Sequence, residues 1–167
     1  MRSAAGAALG LAAFTTACAP APAPAGGRGA ETGGVGRDCA EGFRRSGSPR
    51  LDLDRLGQAC GERLGLRPTA DPIVGEQREG EPSQRFRVRL EAGTCYRVFA
   101  TGERQVRDLD LALYGADPEL VVADASPDAY PVLPPAGLLC VDASGDYVLE
   151  VGVMAGHGRW AAQVWQE

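Results

Sequence analysis

The sequence lacks lysine and asparagine altogether, contains a single histidine, and carries no apolar run long enough to span a bilayer as a helix. Each absence excludes something. Without asparagine there is no N-glycosylation sequon. With only His157, a histidine general base has one candidate. It sits in a Gly-His-Gly turn, with no G-x-S-x-G elbow and no free thiol to serve as its nucleophile. A zinc site finds neither a C-x-x-C pair nor a second histidine. All 17 basic residues are arginine, the usual product of a GC-rich coding sequence, so their abundance is weak evidence for anion binding. Against 22 acidic residues they leave a net charge of -5, which argues against nucleic acid as a partner. Aromatic residues make up only 6%.

What is present divides the 167 residues into an address, a spacer and a domain. Residues 1–17 open with Arg2 and an apolar stretch from Ala4 to Phe14, well under the ~20 residues a membrane-spanning helix requires. The pattern is that of a signal peptide. Thr16 and Ala17 lead into Cys18, which resembles the lipobox of bacterial lipoproteins, with Thr15 where that family prefers leucine. The resemblance implies cleavage before Cys18, its acylation, and membrane attachment through a lipid anchor. Ala19, where an aspartate is absent, is similar to lipoproteins sent to the outer membrane. Residues 18–38 alternate alanine with proline and then run to glycine, so they bury nothing and read as a solvated tether.

Setting Cys18 aside leaves Cys39, Cys60, Cys95 and Cys140, an even set in a chain expected to be exported. Three pairings exist. Cys39–Cys60 with Cys95–Cys140 is preferred because each link then stays within one segment. Residues 39–81 form the first of these, with Leu53, Leu56, Cys60 and Leu64 on one helical face, Asp52 as N-cap and Gly65 as terminator.

From residue 82 to 167 the apolar period is two. Phe86, Val88 and Leu90 alternate with Arg85, Arg87 and Arg89; Leu109, Leu111 and Leu113 follow, then Tyr147, Leu149, Val151 and Val153. Gly156-His157-Gly158 is expected to turn the chain into Trp160, Ala162 and Val164. The expected fold is mainly β: a jelly-roll-like antiparallel β-sandwich of about seven strands, preceded by one short helix.

The runs AGTCYRVFATG, DLDLALYG and GDYVLEVGVMAGHGRWAAQVW resemble the bacterial pre-peptidase C-terminal domain over residues 82–166. That resemblance implies a non-catalytic sandwich that binds carbohydrate or protein, in some members with calcium. The arginine stripe Arg85, Arg87, Arg89 and the aromatics Tyr114, Tyr130 and Trp165 are the candidate ligand contacts. The stripe's bland reading is cross-strand pairing with carboxylates such as Glu150, Asp108 or Asp110. Asp108 and Asp110, about 7 Å apart on one strand face, are the candidate weak calcium ligands, with Asp142 and Asp146 in an Asx-type turn. The expectation is a non-enzymatic, lipid-anchored envelope protein that needs no cofactor and binds a surface polysaccharide or protein. The alternative is an accessory module working with a secreted hydrolase or peptidase.

Overall fold

A computed structural model describes residues 37–167. The expected signal peptide, Cys18 and the tether through residue 36 lie outside the described residues. A 3-10 turn at Arg37–Ala40 leads to the helix α1, Pro49–Cys60, and to a second 3-10 turn at Glu62–Leu64. Nine strands follow: β1 Arg67–Pro68, β2 Ile73–Arg78, β3 Gln84–Leu90, β4 Cys95–Gly102, β5 Val106–Tyr114, β6 Leu120–Asp124, β7 Val132–Leu133, β8 Leu139–Cys140 and β9 Gly145–Gln166. Two of them, β1 and β2, fall within residues 39–81. No helix among the described residues is long and apolar enough to cross a membrane.

All nine strands join one antiparallel sheet whose spine is the 22-residue β9. Its first half pairs with β3 on one edge and β5 on the other; its second half pairs with β2 and β4. The pairs β2–β3 and β4–β5 thus run beside β9 as two interrupted strands, all bent at one level. The expected turn at Gly156-His157-Gly158 is this bend, and the strand continues through it. Gly156 and Gly158 have φ of 92° and 138°, which residues with a Cβ adopt only under strain. Opposite the bend, β5 shifts register around Asp108, a bulge that accommodates the corner. Buried Gln77 secures the other side: its amide donates to the carbonyls of Glu81 and Pro82, and its oxygen accepts from the Val153 N–H.

The fold folds back on itself as a front half (β3, β9, β5, β6) and a back half (β1, β2, β9, β4, β7, β8). Between them lies the main core, including Leu109, Leu111, Leu113, Leu149, Val151, Trp160 and Ala162. The antiparallel, mainly β architecture with one preceding helix is therefore as expected, and the two packed layers are halves of one nearly closed sheet.

A second core lies on the outer side of the back half, where α1 packs Leu53, Leu56 and Cys60 against Phe99, Ala161 and Trp165. This explains why β4 shows little polar alternation: both its faces are covered, and seven of its eight residues are buried. Ser48 stands at the N-cap of α1 with Pro49 in the first turn. Asp52, expected as the cap, is instead fully buried inside that turn and accepts from the N–H groups of Ser46 and Gly47. Gly65, with φ of 75°, closes the 3-10 turn that follows α1. Disulfides join Cys39 to Cys60 and Cys95 to Cys140. The first ties the leading turn to the last residue of α1; the second links β4 to β8. Arg45 fastens the same leading segment to the β4–β5 corner, donating to the carbonyls of Gly102, Glu103 and Val106. The disulfides mark a chain matured in an oxidising compartment.

Candidate functional site

The helix covers the back half only, so the outer face of the front half meets solvent. Across it run Arg85, Arg87 and Arg89 on β3, then Asp146, Val148, Glu150 and Gly152 on β9. Asp110, Ala112 and Tyr114 on β5 and Ala123 on β6 complete it. The register makes these rows: Arg85 opposite Glu150 opposite Ala112, and Arg87 opposite Val148 opposite Tyr114.

Three of the sequence candidates converge here. A cleft of about 310 Å³ is lined by Arg85, Arg87, Tyr114 and Val148, with Phe86 at its base and Pro118 at its rim. The Arg85 guanidinium lies 5.4 Å from the centre of the Tyr114 ring, and its Nε is 2.6 Å from a Glu150 oxygen. Arg85 is therefore held by a ring and a carboxylate, the cross-strand pairing the alternation allowed. Arg89 is drawn away to Glu91 and Asp146. Arg87 is exposed and has no ion-pair partner among the described residues. Its row offers only Val148 and Tyr114, so its charge is the one left over.

Two aromatic candidates go elsewhere. Trp165 is only 5% exposed and lies beneath α1, edge-on to Phe99 at 5.8 Å, its Nε1–H donating to Gln163. The second core that α1 creates takes it out of reach of a ligand. Tyr130 is half buried against Phe43, 5.4 Å away, at the margin of that same core.

Val148, Ala112 and Ala123 were not singled out from the sequence, yet they floor the face. Their signal was apolar character at positions whose neighbours Leu149, Leu111, Leu113 and Val122 already fill the inner face.

A second, smaller cleft of about 200 Å³ adjoins the first, lined by Ser83, Asp110, Ala112, Ala123, Glu150 and Met154 among others. The Arg85–Glu150 pair forms the saddle between the two. Burial pushes the Asp110 carboxyl up to about 6, and the neighbouring Asp108, Asp124 and Asp128 add to the shift. Asp108 is raised as well, by burial first and then by Asp128 and Asp124. Asp108 and Asp110, the candidate weak calcium ligands, lie together here beside Asp124 and Asp128. Asp124 is buried and spends its oxygens on the Val132 N–H and on Ser126; Asp128 accepts from the Tyr130 N–H. Among the described residues no three His, Cys, Asp or Glu side chains are grouped to hold a metal ion. Asp146 faces Arg89.

A third cleft, about 320 Å³, lies where the start of α1 meets β2 and contains Arg50, Glu76 and Arg159. There Glu76 stands among the arginines and Arg159 is already bonded to Glu103 at 2.6 Å, so no basic excess comparable to Arg87 remains. His157, the lone histidine, is exposed at the bend, nine residues along β9 from the Arg87–Val148 row.

No family model matches the chain, and no curated protein matches it. Among solved structures it is similar to PliG, a periplasmic inhibitor of g-type lysozyme from Aeromonas hydrophila, with a TM-score of 0.44 and 13% identity over 58% of this chain and 85% of that one. It is also similar to the infectious bursal disease virus structures of the Gx and Gt strains. Their TM-scores are 0.35 and 0.32, at 13% identity over 60% of this chain and 30% and 31% of theirs.

Proposed function

We propose that the chain is an exported, lipid-anchored protein of the cell envelope, attached at the outer membrane through Cys18. Its β-domain is a non-catalytic binding module. The first cleft of the front face takes an acidic group borne by a surface polysaccharide or a protein partner. The observation that carries this reading is Arg87: an exposed guanidinium, unpaired among the described residues, beside the Tyr114 ring in a ready-formed cleft on the face that α1 leaves open. Arginine suits such a task because its planar fork matches a carboxylate bidentately. The neighbouring tyrosine gives apolar contact at small conformational cost.

Two measurements test it. The intact mass of the protein purified from envelopes reports cleavage before Cys18, acyl chains and oxidised thiols together; a soluble, unacylated form removes the anchor. Binding to polygalacturonate, a soluble polymer of carboxylates, is expected to weaken about fivefold in Arg87→Ala, as for one exposed charge contact. It is expected to be unaffected by Arg107→Ala, an exposed arginine off this face. Equal loss in both variants would reduce the effect to net charge. Purification only in company with a secreted hydrolase, without polymer binding, would turn the reading towards the accessory module.

A further inference from the structure

We infer that the front face seats an extended polypeptide segment of a partner protein, one that brings an acidic side chain to Arg87 and a basic side chain to Asp110. The inference rests on the binding reading above and narrows it to one class of partner.

Three observations select that occupant. The first is size. Four strands about 4.8 Å apart, seven residues long at about 3.3 Å each, give a face of roughly 450 Å². A stable interface between two folded proteins needs about 800 Å² from each side. A second copy of this chain, docked face to face, would find too little area. A single extended segment would be served by it.

The second is charge order. Arg87 on β3 and Asp110 on β5 lie diagonally across the face, two strands apart and four residues along. Asp110 has no ion-pair partner among the described residues and lies among Asp108, Asp124 and Asp128. A uniformly acidic glycan reaching beyond Arg87 would run into that repulsion. A polypeptide carries both signs, and places them at any spacing. By strand spacing and rise the two positions are about 16 Å apart; side chains four residues apart on an extended segment lie on one face about 13 Å apart, and the reach of a glutamate and a lysine covers the rest.

The third is the floor between them. Val148, Ala112, Ala123 and Met154 offer small or flexible apolar surface, and of the two rings lining the first cleft Phe86 belongs to the inner core, which leaves Tyr114 as the outward-facing one. Sugar recognition by stacking would call for more rings. A peptide's alternate side chains and backbone fit a shallow apolar channel with a charge at each end.

The test uses the protein with both disulfides intact, titrated by NMR with synthetic peptides. Each carries one glutamate and one lysine, zero to six neutral residues apart; polygalacturonate is the uniformly acidic control. The peptide with three intervening residues is expected to bind best, shifting the amides of Arg87, Val148, Gly152 and Asp110 together, and the one with four, whose charges point to opposite faces, to bind less well. Asp110→Lys should weaken that peptide about fivefold and strengthen polygalacturonate. Ala123→Leu, which fills the second cleft without touching charge, should weaken the peptide alone. Arg87→Glu should weaken both ligands. Polygalacturonate binding as tightly as the best peptide, or Asp110→Lys leaving the peptide within about twofold, overturns the polypeptide inference and leaves the binding reading standing. If Arg87→Glu changes neither ligand, or neither ligand binds, both fall.

Discussion

Asp110 carries the larger of the two raised carboxyl shifts on β5. Asp110 titrates at about 6, above the ~3.9 of an unfolded chain. The folded protein therefore holds that proton more tightly than the unfolded one. The contribution of Asp110 is complete below about pH 4 and is lost as the pH rises through about 6. Because the group is only part-buried and solvent screens it, about 1 kcal/mol is the expected size. Asp110→Asn should accordingly raise the urea-unfolding free energy by that amount at pH 7.5 and by little at pH 4.5. Parallel curves for the two proteins would refute the shift. The arginine stripe was legible as a charged outer face, but not which member would be left over. That depends on Glu150 and Asp146 meeting Arg85 and Arg89 through the register of β9, and on Glu91 reaching Arg89 from just past the end of β3. Trp165 was misplaced for a different reason: alternation tells which side of a strand a ring takes, not whether a helix covers that side.

That helix is seated by two glycines that would otherwise weaken it. Gly57 and Gly61 each cost an isolated helix about 1 kcal/mol relative to alanine. Here a Cβ on Gly57 would overlap the six-membered ring of Trp165, and one on Gly61 would come 2.6 Å from the same indole. Their missing side chains give α1 the flat surface on which the indole lies. Gly57→Ala, stabilising by propensity, should thus destabilise the protein by about 2 kcal/mol, as overpacking does; unfolding at the wild-type denaturant midpoint would show that the ring simply moves aside. The helix itself was readable from Leu53, Leu56 and Cys60, and β3, β5 and the first half of β9 from their period of two. The strand β2 was not, because its inward positions are Ile73, Gly75 and Gln77. Gly75 makes room for the Trp160 ring and Gln77 feeds the corner's backbone, so neither shows as apolar alternation. The bend in β9 looked like a turn for a related reason: positive-φ glycines serve both.

At the scale of the molecule, the two disulfides divide the work. The Cys39–Cys60 link spans 21 residues and the Cys95–Cys140 link 45. On the chain-entropy model they contribute about 3 and about 4 kcal/mol. Replacing Cys39 and Cys60 by serine should therefore cost about 3 kcal/mol and expose the Trp165 indole to quenchers, while the main core persists. Loss of all structure in that variant would mean that α1 and the sheet are one cooperative unit. The spine β9 has a kinetic corollary. It is the last strand in chain order, yet β1 to β5 all take hydrogen bonds from it. Until it is present, β2 and β3 have no neighbour to bond. Such sequence-distant pairing makes for slow, late-nucleating folding. A sheet whose first three strands find their only partner in the final ribbon cannot close before residues 145–166 are in place.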